Sequence, residues 1–374
     1  MKCYFDCAAT TRLNSDAKKI IKKDLKLFHN PSALYETETK EILDESRAMV
    51  AHAIGAMKDE IFFTSGGTES NNWVIQRFPY TKEKNHVIIS SIEHHSVLRA
   101  AQSLKGVKVS YVKPDEFGLI RAADVEKLIT NKTALVSVMM VNNILGTIQP
   151  IAEIGEICKK KGVLFHTDAV QAVGHLDIDV KELGVDFLSC SGHKLGGPKG
   201  VGFLYCRNGT NLNNLLYGGG QERGKRPGTE NIPYIHALAH CVTKERNDAY
   251  KDAYLGMIQD YLIGRLWDEF TGLRFNGSML EEDRVLTNVN VSFKDVVSDM
   301  IIMLLAERGI YVSEGSACDT GNMDVNYVLK EIGVPDEYIE GGLRITFDEH
   351  VNIKQCNYLI KNLKQILMSL RGYV

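Results

Sequence analysis

Four groups of residues stand out because their chemistries complement one another. Lys194 closes the run Phe187-Leu188-Ser189-Cys190-Ser191-Gly192-His193-Lys194, an apolar stretch that passes into a turn. A lysine in such a partly desolvated place has a lowered pKa, and its amine can condense with an aldehyde. Asp168 follows Val163-Leu164-Phe165-His166-Thr167, so its carboxylate ends near the interior. There it needs a cation: a protonated ring nitrogen, or a buried lysine or arginine. Thr64-Ser65-Gly66-Gly67-Thr68-Glu69-Ser70 opens a helix. Its glycines and free N–H groups suit a phosphate, although a plain capped turn has the same composition. Cys318 sits in Glu314-Gly315-Ser316-Ala317-Cys318-Asp319-Thr320-Gly321, a loop of small residues, whereas cysteine is usually buried.

An amine for an aldehyde, an acid for a pyridine nitrogen and a glycine turn for a phosphate together fit pyridoxal phosphate (PLP). Other polar residues fall beside them. Ser91-Ile92-Glu93-His94-His95 lacks a third ligand at metal spacing, which leaves His94 as a ring stacked on a cofactor or as a structural histidine. Asn142 and Asn143 follow one apolar run, and Gln171 comes three residues after Asp168. Gly219-Gly220-Gln221-Glu222-Arg223-Gly224-Lys225 has the spacing of a nucleotide-binding P-loop. Arg226 stands where a magnesium-binding serine or threonine belongs, and no buried strand leads in, which excludes that reading.

The elements that must hold these residues are short apolar runs alternating with helical patterns. Strands are expected at Glu60–Thr64, His86–Ser90, Ala134–Val141, Val163–Thr167, Phe187–Ser189 and Gly200–Cys206, with helices over Glu41–Ile54 and Ile151–Lys161. This alternation predicts an α/β fold with a mainly parallel sheet covered on both faces. Ligands of such sheets bind beyond the carboxyl ends of the strands, where the candidate residues lie. From about Asn231 to Glu269 the pattern is helical. A smaller unit follows, with strands Val285–Ser292 and Leu343–Phe347, a helix Val296–Arg308 and a last helix from Asn352. The division expected is a large domain over residues 15–255 and a small α+β domain from residues 1–14 and 256–374, the latter carrying the Cys318 loop.

Composition narrows the class. A chain of 374 residues exceeds the usual reach of one core. Its 44% hydrophobic and 24% charged content is that of a soluble enzyme, and a formal charge of −3 gives no electrostatic case for nucleic acid or membrane. No signal peptide or spanning segment is expected. The eight cysteines are scattered without a C-x-x-C pair, as in a reduced, cytoplasmic protein.

Taken together the motifs resemble the cysteine desulfurases, class V aminotransferase-fold enzymes of PLP fold type I. The resemblance runs through Tyr4–Thr11, His29-Asn30-Pro31-Ser32, Thr64–Asn71, Glu93-His94, Val141-Asn142-Asn143, Asp168–Gln171, Ser191–Lys194, Gly218–Thr229, Gly315–Cys318 and Leu343–Thr346. It implies a seven-stranded type of sheet and a homodimer. It further implies that Lys194 holds PLP and moves protons at the substrate α-carbon, that Asp168 pairs with the ring nitrogen and that His94 stacks on the ring. Asn143 and Gln171 would contact the phenolic oxygen; Gly67, Thr68, Ser191 and His193 would bind the phosphate, with Thr229 from the partner subunit. Asn30 and Arg344 would hold the carboxylate of L-cysteine. Cys318 would attack its sulfur, leave alanine, and carry a persulfide to an iron–sulfur scaffold or a tRNA-thiolation enzyme.

Several positions depart from the family pattern: Tyr35, Pro227, Asp348-Glu349-His350 and Glu314. They bear on substrate preference and acceptor recognition rather than on PLP. Glu314 and Asp319 also place negative charge beside Cys318, which predicts a protonated resting thiol activated near a base such as His94. Selenocysteine lyase, cysteine sulfinate desulfinase and aminotransferase chemistry are alternatives on the same fold, and a non-catalytic partner-binding scaffold is another class.

Overall fold

The computed structural model describes residues 1–243, 249–314 and 326–372. Among them, seven strands form one sheet: β1 (Ile61–Thr64), β2 (His86–Ser90), β3 (Lys108–Val112), β4 (Thr133–Ser137), β5 (Leu164–Asp168), β6 (Phe187–Ser191) and β7 (Gly202–Cys206), in the order β1-β7-β6-β5-β4-β2-β3. Neighbours from β6 across to β3 are parallel, while β7 runs antiparallel to both β6 and β1. The reversal has a simple cause. The connection Gly192–Val201 contains a single 3-10 turn, and a parallel return needs a longer crossover.

The strands are buried on both faces, and alternate residues feed two cores. On β2, Ile88 packs with Val136, Phe165 and Leu188, while Val87 and Ile89 pack with Phe62, Trp73 and Leu98 on the other side. The β4 run is shorter than its apolar sequence. The ladder pairing ends at Ser137, and the chain continues extended, with Val138 and Met140 N–H groups donating to the carbonyls of His166 and Asp168. Edge strand β3 escaped sequence reading because only Val112 among its residues is buried. The helix Ile151–Lys161 ends where expected, at left-handed Gly162, with three lysines in its last turn.

A second core belongs to a three-stranded antiparallel sheet of β8 (Leu273–Phe275), β9 (Asn288–Phe293) and β10 (Gly342–Thr346), packed by helices Ala249–Glu269, Ser298–Glu307 and Ile353–Leu370. The last helix starts at Asn352, whose side chain and that of Gln355 cap each other's backbone N–H. Cys3 and Phe5 join this core from the N-terminus. Strand alternation then joins the two cores. Val289 and Val291 face inward, while Asn288 and Asn290 donate to the carbonyl of Ile144 at 3.3 and 3.1 Å. The Asn143 loop is thereby tied to the second sheet. Among the described residues no helix is long and apolar enough to cross a membrane.

Candidate active site

The carboxyl ends of β1, β5 and β6 open on the same edge of the sheet, where a cavity of about 190 Å³ lies. It is lined by Gly67, Thr68, His94, Asn143, Asp168, Gln171, Ser191, His193, Lys194 and Arg344, ten residues singled out from sequence. The cavity thus lies beyond strand ends, where an α/β sheet of this kind places its ligands.

Asp168, 4% exposed at the end of β5, decides what the cavity takes. Its Oδ1 accepts from the Val170 N–H at 3.0 Å and its Oδ2 from Asn71 Nδ2 at 2.6 Å. Both donors are neutral, and no cationic side chain among the described residues pairs with it. Of the two partners that a buried carboxylate here could have, the buried lysine or arginine is thus excluded among those residues. What remains is a cation brought by a ligand, which a pyridinium nitrogen supplies. Behind it, Glu93 lies fully buried; burial first, and then the charge of Asp168, hold its carboxyl well above the usual carboxylate range. Glu93 Oε1 nevertheless accepts from the Met139 N–H at 2.6 Å.

The other end of the cavity is built for an anion. The helix Gly67–Arg77 begins behind Gly66, whose φ of 149° favours glycine, and its first N–H groups are at the cavity wall. A Cβ on Gly67 would stand 2.5 Å from a methyl of Val170, so the backbone itself forms the cradle. Gly202 on β7 keeps that cradle in place: a Cβ there would meet the Cys190 carbonyl at 2.3 Å and Gly66 Cα at 2.7 Å. His193 completes the wall, bonded through Nδ1 to Thr10 Oγ1 at 3.1 Å. Burial, with the charges of Lys194 and Lys199, pushes its pKa down to about 4, so it is neutral at physiological pH.

Lys194 ends the 3-10 turn after β6, and its Nζ donates to the carbonyls of Ala8 and of Ala9, the latter at 2.8 Å. Arg344, on β10 and 2% exposed, reaches the cavity from the three-stranded sheet. Its Nη2 pairs with Asp6 Oδ1 at 2.9 Å, and its Nη1 donates to the Asn143 carbonyl at 3.0 Å. These contacts present the guanidinium at the cavity wall, a fixed fork for a carboxylate. The buried Asn143 Oδ1 lacks a partner among the described residues, while Gln171 Nε2 donates to the Ala8 carbonyl at 3.0 Å. A counter-charge, an anion cradle, an amine and an unsatisfied amide lining one cavity fit PLP with an amino acid beside it.

Two expected residues, Asn30 and Thr229, stand apart from the cavity. Asn30 is exposed, its Oδ1 accepting from the Ser32 N–H at 2.9 Å in a local turn, and it does not line the cavity. Thr229 also lies off the cavity within one chain. Cys318 falls outside the described residues. Both flanks of its segment are nevertheless fixed at the cavity: Ser313 bridges to Arg344, and Tyr327 forms part of the wall. Glu314 is turned toward Asp299 and Ser298, and burial and Asp299 raise its pKa to about 7. At neutral pH it therefore contributes only part of the negative charge expected beside the thiol. Sequence reading also missed Asn71, Ser96 and Tyr327. Asn71 lies four residues after Gly67 and so on the same helix face, a legible signal; Tyr327 comes from a distant element and gave none.

Comparison with known proteins agrees with this geometry. The family model for Aminotransferase class-V matches residues 3–359. Cysteine desulfurase IscS of Clostridium botulinum is 41% identical over 98% of this chain and 95% of its own length. Among solved structures, a NifS-like protein superposes with a TM-score of 0.91 at 34% identity, covering 99% of this chain and 100% of its own. SspA in complex with cysteine gives 0.82 at 35% identity over 94% of this chain and 100% of its own. Motifs, cavity and relatives converge: the chain belongs to the cysteine desulfurases, PLP-dependent members of the class-V aminotransferase family.

Proposed function

We propose that this cavity takes L-cysteine and that sulfur leaves it as a persulfide on Cys318, with L-alanine as the other product. The balance is simple: the substrate C–S bond breaks, a bond forms between the substrate sulfur and Cys318 Sγ, and a proton goes to the carbon that the sulfur leaves. PLP, when bound, supplies an aldehyde for the substrate amine and a conjugated sink for electrons at its α-carbon. Asp168 would balance the ring's positive charge, the Gly67–Thr68 turn with Ser191 and His193 would hold the phosphate, and Asn143 and Gln171 would contact the phenolic oxygen. Arg344 binds the substrate carboxylate, and Lys194 Nζ moves the α-proton. The observation that carries this reading is Asp168, a buried carboxylate bonded among the described residues only to neutral donors, in the cavity that Lys194 and Arg344 also line.

Cys318 lies four residues beyond Glu314, a span of roughly 14 Å when extended, so a thiol so tethered can reach a cavity walled by Arg344. The persulfide then passes to an acceptor protein, an iron–sulfur scaffold or a tRNA-thiolation enzyme, in the reducing cytoplasm. A homodimer accounts for Thr229 lying off the cavity and for the exposed Phe28, Leu34, Tyr35 and Tyr217. The test is incubation with L-cysteine, and separately with selenocysteine and cysteine sulfinate, while alanine and released sulfur are measured. Alanine from wild type but not from Lys194→Ala is expected, with sulfur transfer lost in Cys318→Ala. No alanine from L-cysteine would end the proposal, and preference for another substrate would reassign it within the fold.

A further inference from the structure

The anion cradle carries an acid of its own. Glu69 stands in the first turn of the helix Gly67–Arg77, next to Thr68 of the cavity wall. Its side chain folds back over the start of that helix, where Oε2 accepts from Ser65 Oγ at 2.7 Å. Ser65 precedes the helix, so this carboxylate lies at the same end as the Gly66–Gly67 turn. A carboxylate in a first turn suits the helix dipole. It does not suit a phosphate monoester, which brings about two negative charges of its own at neutral pH. Two anions then share one positive helix end.

Arg226 answers this conflict. Its Nε donates to Glu69 Oε1 at 2.9 Å and its Nη2 to Oε2 at 3.3 Å, with the two side chains 24% and 21% exposed. The guanidinium is delivered by a segment that is fastened to the strand side of the same turn. The N–H of Phe63, the last residue but one of β1, donates to Glu222 Oε2 at 3.0 Å, and Arg47 holds the same carboxylate. Residues 222–226 thus grip the glycine turn from both sides, at Phe63 before it and at Glu69 after it. Glu222 and Arg223 stay at left-handed φ of 46° and 57°, which residues other than glycine keep only where surrounding contacts over-determine them. Arg226 is also the residue that breaks the nucleotide-binding P-loop pattern, and Glu69 accounts for its presence there.

We propose that Arg226 is a positioning residue for the cofactor phosphate: by neutralising Glu69 it leaves the helix end able to hold a dianion. The proposal rests on the reading of the Gly67–Thr68 turn as the phosphate site. A pair that served only to tether residues 222–226 would behave differently, and one substitution separates the two roles by sign. Removing the charge of Glu69 tightens phosphate binding if the pair balances charge, and loosens it if the pair is a tether.

The experiment is a double-mutant cycle, read by PLP titration of the full-length protein in a Lys194→Ala background and followed by cofactor absorbance. Arg226→Met strands Glu69 beside the phosphate and should weaken PLP binding by about tenfold, the low end of what a like charge does to an ionised neighbour. Arg226→Lys keeps the charge and should stay within about threefold of the parent. Glu69→Gln should tighten binding by about threefold, and Glu69→Gln combined with Arg226→Met should return to within about threefold of the parent. The deficit of Arg226→Met should shrink at about 1 M salt, where screening acts within about 3 Å. Weaker PLP binding by Glu69→Gln would overturn the proposal, and this arm stands even if Arg226→Met fails to fold. So would Arg226→Met affinity equal to the parent, or a double variant no tighter than Arg226→Met. A Lys194→Ala parent that binds no PLP would remove the cofactor reading as well, whereas PLP binding that ignores both substitutions would sink this inference alone.

Discussion

Asp168→Asn is the most informative single substitution, because two opposing terms separate its role from that of an ordinary buried acid. In the apo protein the change removes a buried charge that no cation among the described residues balances, which is favourable. It also leaves two donors, the Val170 N–H and Asn71 Nδ2, competing for one side-chain oxygen, which costs about 1–3 kcal/mol. The two nearly cancel. With unfolding entropy near 2.1 cal/mol/K per residue, a chain of 374 residues shifts its Tm by only about 1.3 °C per kcal/mol. The apo Tm should therefore stay within about 2 °C of wild type. Cofactor binding behaves differently, since it loses the buried pair between carboxylate and ring nitrogen. Removing one partner of such a pair costs about 3–5 kcal/mol, or a factor of about 150 to 5,000 in affinity. The assay is scanning fluorimetry of the apo protein together with a PLP titration, both in a Lys194→Ala background so that covalent attachment does not mask affinity. PLP affinity within threefold of the Lys194→Ala parent would refute the reasoning. An apo Tm lowered by 5 °C or more would show that Asp168 is structural.

Other expectations follow from individual contacts. Arg344→Lys keeps the charge and loses the two-pronged fork, so KM for cysteine should rise by about tenfold or more in steady-state assays, with little change in Tm. Glu314 has a folded pKa of about 7, above the ordinary carboxylate value, so the stability tied to its proton is complete at low pH and is lost as pH rises toward 7. Glu314→Gln should flatten the fall in Tm between pH 5 and pH 8; an unchanged slope would mean that the Asp299 pairing is absent in solution. Arg47 and Glu222 form a buried two-bond pair at 2.7 and 2.8 Å, and Glu222 sits at φ 46°. Arg47→Met strands that carboxylate and should cost about 3–5 kcal/mol, visible as a Tm lower by about 4–6 °C.

The large sheet was legible in the sequence because its central strands are buried on both faces and so read as uninterrupted apolar runs. Residues just beyond those runs proved to be the cavity wall for the same reason: strand ends in a sheet of this kind converge. Strand β3 was not legible, since an edge strand with one buried residue has no such run. The antiparallel turn of β7 was missed because direction depends on the length and content of the connection, not on the strand. Arg47 is a buried cation on the helix Glu38–Ala53, and no local pattern marks it because its partner Glu222 is far away in sequence. The Glu69–Arg226 pair was out of reach for a similar cause. Each of its residues is ordinary alone, and its meaning is carried by which atom faces which.

Gly202 does not line the cavity, yet it sets the distance at which β7 can slide under the glycine turn at Gly66. Enlarging it to alanine would push two backbones apart and widen a pocket that it does not line. In a screen of random variants such a lesion would score as poor cofactor retention, and the position would be mistaken for a ligand contact. The architecture thus hides a determinant of vitamin dependence one layer behind the residues that would be credited with it.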